Sequence, residues 1–150
     1  MMEIQIIAVG GLTLEFKNVF NKYIESVSHF TKINIVEIKE FSEEKNIEIK
    51  VKKETSLILS KINKNNFVIL CSLQGKQLNS IEFAHLIKEQ ENRNLTFIIG
   101  GSNGVNENEF NNVFKLSISK MTFPHQLFRC LLAEQIYRAF SILNNKKYHK

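Results

Sequence analysis

The sequence predicts an α/β fold in which a mostly parallel β-sheet is covered by helices on both faces. Short runs rich in β-branched and aromatic residues alternate along the whole chain with longer segments of helical apolar spacing. Strands separated by helices pair in parallel, and such sheets are buried on both faces. The 150 residues, 43% of them hydrophobic, suit one domain with an ordinary core. No repeat or low-complexity linker divides the chain, so we expect residues 1–150 to form a single domain.

The first half of the chain contains two predicted strand–helix pairs. The opening β-rich run ends at Gly10 and Gly11, and the segment after it places apolar side chains three and four positions apart. A second run alternates apolar with polar residues, as a strand does, and a charged loop follows. The next helix carries a basic face of Lys50, Lys52 and Lys53. The predicted elements are strands at 3–9 and 32–38, helices at 14–30 and 47–62, and the loop at 40–46.

The second half repeats this alternation with three more strands. The third strand ends at Gln74-Gly75-Lys76, and the fourth runs into the glycine-rich sequence GGSNG. Pro124 suits the first turn of the last helix, where its missing N–H would have no helical partner. The predicted elements are strands at 67–73, 95–99 and 114–119, helices at 80–91 and 124–143, and a short helix at 107–113.

The last predicted helix has an unusually wide apolar face. A helix that is apolar over so much of its circumference is buried on several sides. In a chain of this size, we expect that face to serve both the core and a subunit interface. Its apolar members are Leu127, Phe128, Leu131, Leu132, Ile136, Ala139, Phe140 and Leu143.

Composition indicates a cytoplasmic protein with a polyanionic partner. The formal net charge of +5 suits a partner such as RNA. Cys71 and Cys130 lie in apolar runs, which is typical of buried free thiols in a reducing compartment. No CxxC or Cys/His spacing predicts a metal site. No apolar stretch approaches the roughly 18 residues of a membrane helix, and the N-terminus lacks the basic region of a signal peptide.

Three loops that follow strand ends are the candidate ligand site, because ligands of open α/β sheets bind beyond the carboxyl ends of the strands. They span residues 71–76, 100–104 and 119–124. The glycines of 100–104 permit positive φ and close approach to a ligand, although a tight strand-to-helix turn needs the same residues. Gly10-Gly11 lacks the third glycine of GxGxxG, and GxxxxGK[ST] does not occur, so nicotinamide and P-loop nucleotide sites are discounted.

Polar residues of the C-terminal segment allow two interpretations. His125 is a candidate base or phosphate donor, or simply a residue of the first helical turn. Arg138 lies four positions after Glu134, as in an ordinary surface pair, and Arg129 is expected in solvent. The five final residues suit RNA phosphate contact with base stacking, or form a frayed terminus. They are Lys146, Lys147, Tyr148, His149 and Lys150.

Six stretches of the sequence match a known family in order and spacing. They are AVG at 8–10, LQGK at 73–76, FIIGGSNG at 97–104, LSISKMTFPHQLFR at 116–129, EQIYRAF at 134–140 and YHK at 148–150. Together they resemble the ribosomal RNA large subunit methyltransferase H family, pseudouridine N3-methyltransferases of the SPOUT class. The resemblance covers essentially the whole chain, and the N-terminal half is the less closely matched part.

The resemblance implies a homodimer and a trefoil knot in the C-terminal half, with the last helix threaded through a loop. Such threading is almost absent from other proteins, so periodicity alone does not predict it. The resemblance also implies that S-adenosylmethionine is the methyl donor, becomes S-adenosylhomocysteine, and lies between the three loops. The cofactor-binding residues carried over are Cys71, Gly100, Ile118, Ser119, Lys120, Met121, Thr122 and Phe123.

On the acceptor side, the resemblance implies catalytic roles for Arg138, Tyr148, His149 and His125. We expect Arg138 and the tail to stabilise a pseudouridine base that has lost its N3 proton. Either His149 or water would accept that proton, and the sequence favours neither. The tail of one subunit is expected to reach the cofactor pocket of the other.

RNA contacts are expected at Lys150, Lys147 and Arg129. The family acts on the 23S ribosomal RNA of the assembled ribosome, which carries most of the recognition surface, so free RNA is expected to be a poor acceptor. Lys150 stands where relatives carry arginine. Lysine lacks the planar fork of an arginine, so this contact is expected to be looser.

Two other function classes stay open at this point. A ribosome-binding factor that has kept the fold and lost catalysis would bind the cofactor without turnover. The intact GGSNG, SKMTFPH and YHK elements argue against it. A response-regulator-like or flavin-binding module would need a functional cluster after the first strand. Gly10-Gly11 has no acidic neighbours of the kind that a phospho-acceptor pocket requires.

Overall fold

The structure is a computed structural model that describes residues 2–150 of the chain. Strands and helices alternate as the sequence predicts, with a 3-10 turn of three residues in place of the short helix predicted at 107–113. In chain order the elements are β1 Glu3–Val9, α1 Leu14–Ser28, β2 Lys32–Ile38, α2 Ile47–Lys61, β3 Phe67–Gln77, α3 Ser80–Glu89, β4 Leu95–Ile99, the 3-10 turn Glu107–Glu109, β5 Phe114–Ser117 and α4 His125–Leu143.

All five strands run parallel in one sheet, in the order β2-β1-β4-β3-β5. β4 lies at the centre, and each of its residues is buried. A continuous apolar run fits a strand covered on both faces, whereas the alternating sequence of β2 fits its place at an edge. The predicted parallel α/β sheet is confirmed, and the bounds of β1, β2 and β4 are confirmed to the residue.

Helices cover both faces of the sheet, as predicted. Successive strand side chains point to opposite faces, so Ile6 and Phe97 enter one core while Ile7 and Ile98 enter the other. The first core is closed by α1, α3 and α4, and α4 packs against both of the other helices. The second core is closed by α2 through residues such as Ile58. One face therefore carries three helices and the other carries one.

The third strand is longer than predicted and is interrupted. Cys71 and Lys76 both pair with Leu116 of β5, so residues 72–75 leave the ladder as a loop. A Cβ atom on Gly75 would lie 2.6 Å from backbone atoms of β5, closer than real Cβ atoms come. Only glycine therefore lets this loop lie against β5. The loop lies at the carboxyl edge of the sheet, where ligands bind in parallel α/β folds.

The basic face predicted for α2 is wrong at one of its three lysines. Lys52 and Lys53 are exposed, but Lys50 is buried. Its Nζ atom lies 3.1 Å from Glu40 Oε2 and 3.8 Å from Glu54 Oε2. Two carboxylates thus allow this lysine to leave solvent, and periodicity alone did not reveal them.

Arg129 is buried, which corrects the prediction that it lies in solvent and contacts RNA. Its side chain is 1% exposed, and its NH1 lies 2.6 Å from Glu37 Oε2. Its NH2 donates to the carbonyl oxygen of Gly10 at 2.8 Å, and the guanidinium lies over the ring of Phe20. These contacts tie α4 to the ends of β1 and β2. They leave no guanidinium surface for a phosphate.

Replacing Arg129 by methionine should lower the free energy of unfolding by about 2 kcal/mol, because a buried charged hydrogen bond to Gly10 is lost. Glu37→Gln should cost less, because the glutamine amide oxygen can still accept a hydrogen bond from Arg129 and the bond to Gly10 remains. Urea unfolding at one fixed protein concentration compares the two variants. An Arg129→Met protein as stable as the wild type would contradict the anchoring role of this residue.

Candidate functional site

A cavity of about 320 Å³ opens at the carboxyl edge of the sheet. Three segments form it: the loop that interrupts β3, the glycine-rich turn after β4, and the segment between β5 and α4. Lys120, also predicted as a cofactor residue, is exposed and lies outside the lining. The predicted site residues that do line the cavity are Cys71, Gly100, Ile118, Ser119, Met121, Thr122, Phe123 and His125.

Much of the cavity wall is apolar. Ile99 and Leu116 contribute buried side chains, and Phe123 and Phe128 are half-buried. Burial raises the pKa of the Cys71 thiol to about 12, so the thiol stays neutral at physiological pH. It therefore acts as a small apolar wall residue and not as a nucleophile. A wall of this kind suits a flat, largely apolar ligand surface such as a purine.

Ser72 and Glu107 form a polar side of the cavity. Ser72 Oγ donates to Glu107 Oε2 at 2.7 Å and accepts from the backbone N–H of Gln74 at 3.0 Å. Lys115 Nζ lies 3.1 Å from the other oxygen of Glu107. One carboxylate thus joins the β3 loop, the 3-10 turn and β5. It also gives the cavity an anionic group.

The glycine-rich turn approaches the cavity through its backbone. Gly104 has a φ of 74°, and its N–H donates to the Gly101 carbonyl at 3.0 Å, which closes the turn. A Cβ atom on Gly100 would lie 3.1 Å from the carbonyl carbon of Gly104 and from the Val105 side chain. Any larger residue at position 100 would therefore push the turn apart at the cavity wall.

The segment after β5 leaves the strand ladder two residues earlier than predicted. Ser117 Oγ donates to the Ser119 carbonyl at 2.9 Å, and the Met121 N–H donates to Ser119 Oγ at 3.0 Å. These local bonds take the place of strand pairing. The segment is therefore an irregular loop whose remaining backbone groups are available to a ligand.

His125, the first residue of α4, lies near a carboxylate. A Cβ atom on Gly10 would lie 3.2 Å from Glu40 Oε1 and 3.8 Å from His125 Nε2. The hydrogen bond from Lys50 lowers the pKa of Glu40, and a bond from Ser102 and the charge of His125 act in the same direction. Glu40 is therefore ionised at neutral pH, with His125 beside it at the cavity.

A second cluster lies near the far end of α4. Arg138 donates to both oxygens of Glu134, at 3.3 Å from Nε and 2.7 Å from NH2. The Tyr148 hydroxyl donates to Glu134 Oε2 at 2.7 Å, and the Arg138 guanidinium lies 4.8 Å from the centre of the Tyr148 ring. Tyr137 packs edge-on against Tyr148, with ring centres 4.6 Å apart. One carboxylate and one aromatic contact thus fold the C-terminal tail back onto α4.

The cluster fixes where its protons lie. Burial and the hydrogen bond to Glu134 raise the pKa of Tyr148, so its phenol is not a base at neutral pH. The hydrogen bonds to Glu134 raise the pKa of Arg138. Arginine only donates, so the His149 Nδ1 atom, 3.1 Å from Arg138 NH1, accepts and leaves the ring proton on Nε2. His149 has no free acceptor nitrogen while this contact holds.

The cavity and the C-terminal cluster lie at opposite ends of α4. His125 and Phe128, in the first turns, line the cavity. Arg138 follows thirteen positions after His125, which is roughly 20 Å along a helix. Lys147 and Lys150, the predicted RNA contacts, are exposed in the tail. Within one chain, His125 therefore meets the predicted cofactor residues, whereas the other predicted acceptor residues, Arg138, Tyr148 and His149, do not.

Sequence reasoning missed two carboxylates of the site. Glu134 holds both Arg138 and Tyr148, but its spacing to Arg138 predicts only an ordinary surface pair. Glu107 meets Ser72 from 35 positions away, and no local pattern signals such a pairing. The i+4 spacing next to a tail rich in cations was the only available hint at Glu134.

Two further properties concern metals and membranes. Among residues 2–150, no group of three or more His, Cys, Asp or Glu side chains is arranged to hold a metal ion. No helix in the same part of the chain is long and apolar enough to cross a membrane. Cys71 and Cys130 are both free thiols.

Full-length similarity to known proteins identifies the family. The family model described as "Predicted SPOUT methyltransferase" matches residues 2–149. A protein of Mycoplasmopsis agalactiae named ribosomal RNA large subunit methyltransferase H is 57% identical over 150 residues, covering 100% of both chains. Proteins of the same name from Metamycoplasma arthritidis and Caldicellulosiruptor bescii are 58% and 44% identical. They cover 99% and 98% of this chain and 100% and 99% of their own.

A solved structure supports the fold. A probable methylase family protein from Haemophilus influenzae aligns with a TM-score of 0.51 over 96% of this chain and 67% of its own. At 11% identity, that similarity concerns the fold alone. The predicted family is confirmed by the family model and by the full-length relatives. The chain therefore belongs to the SPOUT methyltransferases, in the family of ribosomal RNA large subunit methyltransferase H.

Proposed function

We propose that the chain uses S-adenosylmethionine to methylate N3 of a pseudouridine in the 23S ribosomal RNA of the assembled ribosome. The names of its full-length relatives support large-subunit ribosomal RNA as the substrate. One observation carries the proposal: a single helix joins a cavity for a nucleoside-like ligand to a cluster of guanidinium, phenol and imidazole groups. The cavity suits a methyl donor, and the cluster suits a nucleobase that must lose an N–H proton.

The lining of the cavity supports S-adenosylmethionine as its ligand. The glycine turn and the segment after β5 would hold the nucleoside part through backbone groups, since both line the cavity and Gly100 has no side chain. The neutral Cys71 and the phenylalanines offer an apolar wall. Glu107 has Lys115 on one oxygen, and its other oxygen, bonded to Ser72, would face a cationic group such as the α-ammonium or the sulfonium. Bound there, S-adenosylmethionine supplies an electrophilic methyl group on a positively charged sulfur.

The C-terminal cluster supplies what an N3 acceptor needs. N3 of a pseudouridine carries a proton, and its loss leaves negative charge on the base. Arg138 stays cationic and stabilises that charge, while the ring of Tyr148 offers a stacking surface. The proton goes to His149 Nδ1 once its contact with Arg138 opens, or to water. His125 lies at the cavity, away from this cluster, and would act on the donor side.

The exposed tail lysines provide the RNA contacts. Lys147 and Lys150 are solvent-accessible and can reach phosphates, whereas Arg129 is buried and drops out of this role. Two flexible cations neutralise few phosphates and so give only weak binding to free RNA. The assembled ribosome must then supply most of the recognition by its shape, which fits so small a chain.

A homodimer brings the donor and acceptor sites together. Leu127, Leu131, Glu134 and Arg138 recur at intervals of three and four positions and form one stripe along α4. Leu127 and Leu131 are partly exposed, whereas their neighbour Leu132 is buried in the core. A symmetric contact through this stripe would place the cluster of one chain beside the cavity of the other.

The purified chain should transfer label from tritiated S-adenosylmethionine to ribosomes of a strain that lacks the native enzyme. The label should map to one large-subunit pseudouridine, and free large subunits and naked 23S RNA should accept less. Equal labelling of a short naked hairpin would contradict the ribosome as substrate. Cofactor binding without label on any acceptor would instead identify a binding factor that has lost catalysis.

Two inactive variants should restore each other if the active site is shared between chains. Gly100→Ala distorts the cavity and Arg138→Ala removes the acceptor cation, so each homodimer should be inactive. An equal mixture should recover about a quarter of the wild-type rate, because half of the dimers are mixed and each holds one complete site. Differently tagged chains verify subunit exchange. Exchange without any recovery would contradict a shared site.

Replacing Glu134 by glutamine should lower kcat about tenfold, because Arg138 and Tyr148 lose a charged hydrogen-bond acceptor. Affinity for S-adenosylmethionine should not change, since Glu134 lies outside the cavity lining. Glu89→Gln, an exposed position on α3, is the matched control. Steady-state kinetics and calorimetry separate the two effects. An unchanged kcat would remove Glu134 from the acceptor site.

A further inference from the structure

We propose that Lys50 is a positioning residue for the cofactor cavity, because its buried ammonium group holds the turn at residues 101–104. Lys50 belongs to α2, which packs on the opposite face of the sheet from α4. No sequence motif predicted this role, because the helical pattern assigned Lys50 to a basic face. The inference rests on the proposed binding of S-adenosylmethionine in that cavity.

The ammonium group bonds both polar side chains of the turn. Lys50 Nζ donates to Asn103 Oδ1 at 2.7 Å, to Ser102 Oγ at 3.3 Å and to Glu40 Oε2 at 3.1 Å. Its side chain is 5% exposed, so the ammonium group itself is shielded from water. Three donors meet three acceptors, which satisfies the group. Charge-assisted bonds of this kind are strong and leave little freedom to either partner.

A buried carboxylate lies between Lys50 and the glycines of the turn. Glu54 is fully buried, and its Oε2 accepts from the backbone N–H of Phe41 at 2.9 Å. Its Oε1 has no hydrogen-bond partner among residues 2–150 and lies 3.4 Å from the place of a Cβ atom on Gly101. The turn thus rests directly on the ion cluster. A shift of Lys50 or Glu54 would move Gly101, which lines the cavity.

The same cluster extends to the start of α4. Glu40 accepts from Lys50 and from Ser102, and it lies beside His125 across Gly10. The turn after β4 and the first residue of α4 therefore share one charged neighbour. Both line the cavity, so the ion cluster around Lys50 lies next to two of its walls.

The test uses variants on the turn, because they leave the buried charges of α2 in place. Asn103→Leu removes the shortest bond to Lys50 at an exposed position, and Asn108→Leu is the matched exposed control. Calorimetry should show affinity for S-adenosylmethionine about tenfold weaker in Asn103→Leu and unchanged in the control. The KM of Asn103→Leu for S-adenosylmethionine should rise, while its kcat at saturation stays the same. A general loss of folding would not produce this combination.

A second readout needs no cofactor and no activity. The N–H of Gly104 closes the turn on Gly101, so its hydrogen exchange reports whether the turn stays formed. In the cofactor-free protein, this amide should exchange about tenfold faster in Asn103→Leu than in Asn108→Leu. Amides of β4 should be unaffected in both variants.

Lys50→Met, compared with Lys52→Met on the same helix, should show the larger effect on both readouts. If Lys50→Met fails to fold, the Asn103→Leu comparison still decides. A wild-type chain that binds no S-adenosylmethionine would overturn the proposed function and this inference together. A wild type that binds, with Asn103→Leu equal to its control in affinity and exchange, would overturn the role of Lys50 alone.

Discussion

The placement of α4 depends on one buried guanidinium group. Arg129 bonds the carbonyl oxygen of Gly10 and the carboxylate of Glu37, so the first turns of the helix are held at the carboxyl edge of the sheet. His125 and Phe128 enter the cavity as a consequence. Because a helix is rigid over this length, the same anchor also sets the distance from the cavity to Arg138. Both halves of the proposed active site thus depend on one contact.

Three cations of the chain, each in an ion pair, differ in how deeply their side chains are buried. This difference in burial indicates different roles. The side chains of Arg129 and Lys50 are 1% and 5% exposed, so neither can reach a substrate. Such cations hold segments together, and removal of either one would leave a partner unpaired. Arg138 is 24% exposed and lies at the end of an open stripe. It is the one of the three whose charge is accessible, as the proposed acceptor role requires, and two bonds to Glu134 fix the orientation of its guanidinium.

Much of the fold followed from the sequence. The features that the sequence did not predict have one physical reason in common. Periods of two and of 3.6 residues are local, so β1, β2 and β4 were placed to the residue. The interruption of β3 depends on how Gly75 meets β5, and the burial of Lys50 depends on Glu40 and Glu54. Both are contacts between segments that local patterns cannot signal. The threading of α4 through a loop came only from the family resemblance, and it stays a prediction.

The residues of the candidate site also divide into those that the sequence predicted and those that only tertiary contacts explain. The cavity residues were found because strand ends of a parallel sheet converge at one edge and because the family motifs lie there. Seven of the predicted cofactor residues line the cavity, and Lys120 does not. The predicted acceptor residues Arg138, Tyr148 and His149 lie together in one cluster, but the carboxylate that Arg138 and Tyr148 share was not predicted. Arg129 was misplaced because a charged residue of a helix is usually in solvent, and only tertiary partners explain its burial.

In the single chain, the C-terminal cluster is closed on itself, and this bears on how the proposed reaction begins. Glu134 occupies Arg138 and Tyr148, and Arg138 NH1 occupies the only acceptor nitrogen of His149. A base that develops negative charge competes well for the guanidinium, since a charged acceptor bonds it more strongly than an imidazole nitrogen does. As the base takes NH1, His149 Nδ1 would become free to accept the proton that the base must lose, with water as the alternative acceptor. The contact between Arg138 and His149 would thus couple the loss of the proton from the base to the binding of the base by Arg138. The imidazole would gain its basic nitrogen only when a substrate base is in place.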